Sequence, residues 1–418
     1  MTPSPTDTAA SSAIIDRHDR FMSINYGRLP IAMVRGQGST LEDADGTRYT
    51  DLFAGFGAGL LGHCHPDLVA AVTEQANTLW HVGNLLHTEP QTRLAEAIAT
   101  HGFGGKSFFC HSGADANEAA IKLARLHGRA RPGRNGPRYK VISAKQSFHG
   151  RSFATMAATG QPKVSEPFHP LAPGFVHVEF NDLNEIEAAI DDETAAVLLE
   201  PIQGEGGVRV PTDDYLPRLR ELCDAHELLL MMDEVWTGCG RTGRYFAHQH
   251  WNIEPDVMTL AKGVGGGLPV GVCCAKPEVA ELFDWRKYGA AVHATTLGGN
   301  CLSMAVAAKL FEVIERDGLV QRAAQLGEHV IQRLCALAQD CPAVTNVRGK
   351  GLFIGAQLDA EAKGASFEKA SEVMERCLKR GVLVNIAQGT VLRVAPALTI
   401  EQDDLDRALD VVEEAIRG

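Results

Sequence analysis

Residues 228–243 read LLLMMDEVWTGCGRTG. Five apolar residues run without interruption into Asp233 and Glu234, and a tryptophan, Trp236, stands just before a glycine-rich turn. A short unbroken apolar run bounded by turn residues marks a strand covered on both faces. Strands of that kind belong to parallel sheets flanked by helices, and ligands in such sheets sit outside the carboxyl ends of the strands. An acid that closes a buried strand therefore stands where a ligand would be held.

Working outward, the pattern repeats. KSFFCHSG (106–113), YKVISA (139–144), GFVHVEF (174–180), AAVLLEPI (195–202), DVMTLAKG (256–263) and PVGVCCAK (269–276) read as further buried strands. Amphipathic stretches such as DANEAAIKLARLHG (115–128) and YLPRLRELCDAHE (215–227) lie between several of them. Seven strands alternating with helices predict an α/β fold with a mostly parallel seven-stranded sheet. Four of the strand ends carry polar chemistry (SG, EP, DEV and AKG) and are expected to converge on one crevice. Upstream, GSTLEDADGTRYTDLF (38–53) predicts a hairpin turning at Asp45-Gly46, and Pro66 opens an amphipathic helix. From about residue 303 the chain changes to long helices and then to a smaller αβ region. Its strands are expected in KGLFIGAQL, LVNIAQ and TVLRVAP, with a closing helix in DDLDRALDVVEEAI. The expected organisation is a mobile tail over 1–15, an N-terminal segment over 16–65 that packs with the smaller domain, a large domain over 66–302 and a C-terminal small domain over 303–418.

Composition narrows the function classes. The 418-residue chain has a formal net charge of −12, which argues against a nucleic-acid surface. None of the ten cysteines forms a C-x-x-C pair, which points to reduced thiols and a cytoplasmic protein. The opening MTPSPTDTAASSA has neither the basic nor the apolar part of a secretion signal, and no apolar run approaches the length of a membrane span. GAGLLG (57–62) matches a dinucleotide-binding glycine pattern but is followed by HCHP, so a helix can begin only at Pro66 and the match is set aside. HCH (63–65) has no third ligand at useful spacing, so no metal site is expected.

The chemistry lies at the strand ends. Lys262 follows a buried run and precedes a glycine cluster, and a lysine in an apolar setting becomes an amine nucleophile able to form a Schiff base. Asp233 at the end of its strand could cap a helix or join a salt bridge, but it also suits a protonated pyridine nitrogen. Ser112, Gly113 and Ala114 lie at a strand-to-helix turn, where free N–H groups and a hydroxyl make a phosphate site or an ordinary helix cap. SFHGRS (147–152) adds an aromatic, a histidine and an arginine beyond another strand. A lysine that traps an aldehyde, an acid for a ring nitrogen, a phosphate cradle and an aromatic together describe pyridoxal 5′-phosphate.

With SGADANEAAIKLAR, SFHGRS, EPIQGEGG, DEVWTGCGRTG, LAKGVGGGLPVG, TTLGGN and VRGKGLFIG in this order, the chain resembles the class III (ω-type) aminotransferases of pyridoxal-phosphate fold-type I. The resemblance is nearest to the acetylornithine and ornithine aminotransferases and spans almost the whole sequence. It implies that Lys262 holds the cofactor and shuttles a proton, that Asp233 pairs with the pyridine nitrogen, and that Ser112, Gly113 and Ala114 bind the phosphate. Thr296 would reach the cofactor from the partner subunit of a homodimer, Phe148 would stack on the ring, and Val235 and Trp236 would border it. Arg151 and Arg393 would grip carboxylates, with Glu205 neutralising Arg393 when a donor brings none there. Thr295 and Tyr26 would line the substrate pocket. The implied partners are a small amino donor with a terminal amine and a 2-oxo acid acceptor, 2-oxoglutarate, in a ping-pong reaction. Another reaction class on the same scaffold (aminomutase, racemase, lyase or decarboxylase) is the alternative, because Lys262 serves all of them. The chain departs from the family at Ala58, Asp115, Leu297, Cys301 and above all Trp236, where acetylornithine-type enzymes carry glutamine.

Overall fold

The computed structural model describes residues 9–418. Of the expected tail over 1–15, the described part lies in a helix, Ala9–Phe21; residues 1–8 fall outside the described residues. The Ser, Thr, Pro and Ala content that suggested a tail extends into this helix, and Asp45 Oδ1 accepts a hydrogen bond from Ser11 N at 3.3 Å, which ties the helix to the following hairpin.

Three short strands follow: β1 (Met33–Gln37), β2 (Thr40–Asp43) and β3 (Arg48–Asp51). β2 and β3 pair antiparallel, Leu41 opposite Tyr49, around Asp45-Gly46 as expected, with Gly46 at φ 82° supplying the left-handed turn. The helix opened by Pro66 runs to Thr78, and no helix begins within 57–62.

The seven expected strands are all present: β4 (Lys106–Cys110), β5 (Lys140–Ala144), β6 (Phe175–Val178), β7 (Thr194–Leu199), β8 (Leu229–Asp233), β9 (Val257–Leu260) and β10 (Gly271–Ala275). They form one sheet in the order β4-β10-β9-β8-β7-β5-β6. β10 is antiparallel to both neighbours, and the pairings from β9 to β6 are all parallel. Every residue of β7, β8, β9 and β10 is buried, which is why these strands read as unbroken apolar runs rather than alternating ones. Helix Gly113–Ala130 covers one face through Ala116, Ala119, Ala120, Ile121, Leu123 and Ala124; small side chains let it lie close to the sheet. Helix Tyr215–Ala225 buries Leu216, Leu219 and Cys223 on the other side of the strand array.

The C-terminal part begins with helices Cys301–Arg316 and Leu319–Asp340. β11 (Val344–Lys350), β12 (Phe353–Leu358), β14 (Asn385–Ala387) and β15 (Val391–Val394) then form an antiparallel sheet in the order β11-β12-β15-β14. β13 (Val382–Leu383) instead pairs parallel with β3, so the N-terminal hairpin and the C-terminal region share a sheet. Helix Gln402–Arg417 closes the chain. The first C-terminal helix, Cys301–Arg316, packs on helices Pro66–Thr78 and Glu89–His101 and so spans the boundary near residue 303.

Leu230 sits fully buried at the centre of β8, between β7 and β9. Truncation to alanine removes its contacts and leaves a cavity in a part of the sheet that has little room to collapse. Leu230→Ala is expected to cost about 3 kcal/mol, read as a lower urea midpoint by circular dichroism.

Candidate active site

The four polar strand ends do meet. A cavity of about 510 Å³ is lined by Ser112, Gly113 and Ala114 after β4, Phe148 and Arg151 after β5, Glu200 after β7, Asp233, Val235 and Trp236 at β8, and Lys262 after β9. Ala58 closes it from the N-terminal segment.

Asp233, the last residue of β8, is 3 % exposed. Its Oδ2 accepts from Asn117 Nδ2 at 2.7 Å and lies 2.8 Å from His149 Nδ1, while Oδ1 accepts from the Val235 amide at 3.0 Å. Asn117 is fixed in turn, donating to the His149 carbonyl and accepting from Thr259 Oγ1 on β9. Neither Asn117 nor His149 was singled out from the sequence. The available signal was Asn117's place four residues into its helix from Gly113, on the face turned to the strand ends. His149 lay within the quoted SFHGRS. Glu234, by contrast, turns away from the cavity: it accepts from the Ala247 and His248 amides and from Thr237 Oγ1, and so braces the next loop.

Lys262 follows β9 and has φ 46°, a left-handed conformation that costs a non-glycine residue energy and is found at functional sites. It lies deep in the molecule but opens to the cavity, so its surface is only partly covered. Burial lowers its pKa to about 8; Glu205 and Asp233 oppose the shift and Arg393 adds to it. Glu200, which the sequence reading passed over, is fully enclosed, and burial raises its pKa to about 7. Its two oxygens accept from the Phe148 and Gly204 amides at 2.9 and 2.8 Å, which fixes the loops carrying Phe148 and Glu205.

Ser112 caps helix Gly113–Ala130, its hydroxyl accepting from the Asp115 amide at 3.2 Å and donating to Asp115 Oδ2 at 3.0 Å. The capping role weighed from sequence is therefore realised, and the Gly113 and Ala114 amides of the first turn remain without an intrahelical acceptor.

An outer compartment adjoins the cavity, lined by Phe56, Phe148, Arg151, Lys163, Glu205 and Arg393 among others. Arg393 on β15 is 1 % exposed and donates to Glu205 Oε1 at 2.8 Å and to Asn385 Oδ1 from Nε at 2.9 Å. Burial works to raise the Glu205 pKa, but Arg393 and Lys262 outweigh it and hold the carboxyl below its ordinary value. Arg151 is exposed, its guanidinium 5.8 Å from the Phe148 ring centre. Trp236 stands between the compartments, with Lys262 Nζ 4.5 Å and Arg393 Cζ 5.3 Å from its ring.

Three expected site residues lie off this cavity within the chain. Tyr26 is 66 % exposed, with Arg28 over its ring. Thr295 Oγ1 is 3.2 Å from His111 Nε2, and Thr296 is exposed on the adjoining loop.

The sequence signature described as "Aminotransferase class-III" matches residues 21–416. The chain belongs to the class-III aminotransferases. It is 46% identical over 390 residues to an acetylornithine aminotransferase of Gloeobacter violaceus, covering 93% of this chain and 94% of that protein. It is 41% identical over 403 residues to the acetylornithine aminotransferase of Caldanaerobacter subterraneus, covering 96% and 99%. Among solved structures, an ornithine aminotransferase from Toxoplasma gondii, described with partial occupancy of PLP at its active site, superposes with a TM-score of 0.90 at 29% identity, covering 97% and 94%. The acetylornithine aminotransferase from Elizabethkingia anophelis gives 0.83 at 28% identity, covering 97% and 99%. This class-III aminotransferase is thus a pyridoxal-phosphate-dependent enzyme of fold-type I.

The neutral amine is the nucleophile, so the Lys262 pKa of about 8 sets where it reacts. Capture of pyridoxal phosphate by the apoenzyme, trapped with borohydride and located by mass spectrometry, should rise with pH up to about 8 and then level off. Lys262→Ala should abolish the label at this peptide; a label that persists there, or a rate still rising steeply above pH 9, would contradict the assignment.

Proposed function

We propose that this aminotransferase moves the terminal amine of an ornithine- or acetylornithine-like ω-amino donor to 2-oxoglutarate by a ping-pong mechanism. The observation that carries the reading is the Arg393–Glu205 pair, a buried guanidinium neutralised by a carboxylate, in the compartment that adjoins the cavity of Lys262.

The residues present fit pyridoxal phosphate. The two free amides at Gly113 and Ala114, with the Ser112 hydroxyl, suit a phosphate at a helix N-terminus. A Cβ on Gly113 would come within 3.0 Å of the Val235 methyls, so glycine keeps this corner open. Asp233, held ready by Asn117 and His149, suits a protonated ring nitrogen, and Phe148 and Val235 are apolar walls for a flat ring. When bound, the cofactor supplies an electron sink that acidifies the carbon bearing the transferred amine.

The protein's own part follows. Lys262 Nζ would hold the cofactor, and its amine, when free, would take a proton from the donor carbon that bears the transferred nitrogen and return it. Burial, aided by Arg393 and opposed by Glu205 and Asp233, lowers its pKa to about 8, where it can both take and return a proton. Arg151 offers an exposed guanidinium to the donor's carboxylate at the mouth of the pocket. Glu205 shields Arg393 while a donor without a carboxylate at that end is bound. A dicarboxylic oxo acid then displaces Glu205 and takes Arg393. Trp236 presents an apolar face between Lys262 and Arg393, where the methylenes of either substrate would lie.

A homodimer is part of the reading. Asn84 donates to the Thr295 and Gly298 carbonyls, bringing two loops together. Leu85, Leu86 and Leu297 are exposed on these loops, an apolar surface that a second copy would cover while receiving Thr296. Thr295 and Tyr26 would complete the pocket near that surface. The division into a large domain over 66–302 and a small one over 303–418 joined by the N-terminal segment is supported by the β3–β13 pairing, while helix Cys301–Arg316 packs on the helices of the larger region. Ten unpaired cysteines support a reducing, cytoplasmic setting, and among the described residues no helix is long and apolar enough to cross a membrane.

Mixing the enzyme with a panel of ω-amino donors should convert the cofactor's absorbance to its amine form, and 2-oxoglutarate should restore it. Absence of both half-reactions with every donor would overturn the reading. Arg393→Ala should weaken 2-oxoglutarate use on the order of a hundredfold more than it weakens a donor with an uncharged tail; equal losses would remove Arg393 from the acceptor site.

A further inference from the structure

Trp236 is shaped into its place. Its ring stacks on Phe353 at 4.8 Å, and a Cβ on Gly57 would lie 2.6 Å from Cζ3. At the other edge a Cβ on Gly204 would lie 2.9 Å from Cδ1, the carbon next to Nε1, so the N–H edge faces the Gly204-Glu205 segment. Nε1 is buried and has no acceptor. A buried donor left unmade costs free energy and is rare in folded proteins. Of the forces on the Glu205 pKa, burial is the largest and raises it; Arg393, Lys262 and lastly the Trp236 N–H lower it. Indole and carboxylate are thus neighbours, close enough to interact but not joined by a hydrogen bond of normal geometry.

The backbone around Glu205 is clamped. Gln388 Nε2 donates to the Glu205 carbonyl at 2.6 Å, Arg348 donates to the Gly207 and Val208 carbonyls, and Gln203 bridges Arg209. When Glu205 leaves Arg393, only its side chain can move, and a displaced carboxylate needs a new donor within side-chain reach. We propose that Trp236 is this receiver: its free indole N–H takes the Glu205 carboxylate when a dicarboxylic acceptor claims Arg393. Trp236 is then a positioning residue that acts through Glu205 on acceptor binding. The inference rests on the acceptor reading of Arg393 and Glu205. The two other cationic side chains lining the outer compartment, Arg151 and Lys163, are both exposed, and Lys163 Nζ donates to Gln388 Oε1 at 3.5 Å.

The test uses the holoenzyme and glutarate, a dicarboxylate that binds as the acceptor does but cannot react. The four tryptophans make the indole N–H spectrum of the 15N-labelled enzyme simple, and Trp236→Phe assigns its signal. Saturating glutarate should move the Trp236 signal downfield as its N–H gains a carboxylate. In stopped flow, Trp236→Phe should lose about tenfold more in the 2-oxoglutarate half-reaction than in the donor half-reaction, the loss appearing in KM rather than kcat. This excess should vanish in a Glu205→Ala background. An unmoved signal at glutarate concentrations that block the reaction, equal losses in both half-reactions, or an excess that survives Glu205→Ala would each overturn the proposal. So would Lys163→Met producing the acceptor-specific loss in place of Trp236→Phe. If the unmodified enzyme shows no half-reaction, or glutarate fails to block it, the acceptor reading itself falls.

Discussion

A carboxylate withdrawn from water costs several kcal/mol unless its lone pairs are met, and this requirement at Asp233 organises the molecule. Asp233 closes the central strand β8. Its partners come from three other places: Asn117 on helix Gly113–Ala130, His149 beyond β5, and the Val235 amide of its own turn. Asn117 is itself set by Thr259 on β9, two residues before Ala261 and three before Lys262. Satisfying one buried acid therefore fixes the helix whose first turn carries Ser112, Gly113 and Ala114, the loop that carries Phe148, and the strand that delivers Lys262. The cofactor groups converge because the carboxylate cannot be buried otherwise.

A second charge system is built on a different sheet. Arg393 belongs to β15 and is held by Asn385 of β14 as well as by Glu205, which comes from the loop after β7. The two systems meet across Trp236, whose ring lies near both Lys262 Nζ and Arg393 Cζ. Both cationic groups lie within cation–π distance of the indole. Glu205 lowers the cost of this arrangement by facing both. The lysine's reactivity and the arginine's availability are consequently not independent: moving Glu205 changes the field at Lys262.

The parts legible in the sequence were those whose physics is local or one-dimensional. The strands β7 to β10 are covered on both faces, so burial writes itself as continuous apolar runs, and the turn at Asp45-Gly46 carries its own signal. β11, VTNVRGK, was missed because it is largely half-buried or exposed and polar, with no alternation to betray it. Helix Gly113–Ala130 starts two residues before the acid that suggested its beginning, because Ser112 is the cap. Asn117, His149 and Glu200 escaped notice for a different reason. Each lies within or beside a quoted motif, but each acts through what a distant segment brings beside it, and the sequence does not show that pairing.

Trp236 shows how such juxtapositions constrain one another. An indole fits here because positions 57 and 204 carry no Cβ, and those glycines belong to two segments far apart in the chain. Gly57 also sits at φ 81°, so a side chain there would meet both backbone strain and the indole. Ala58, next to Gly57 in sequence, lines the same cavity as the indole. The flat apolar face of Trp236 borders the path between Lys262 and Arg393, while its buried N–H faces the Gly204-Glu205 segment.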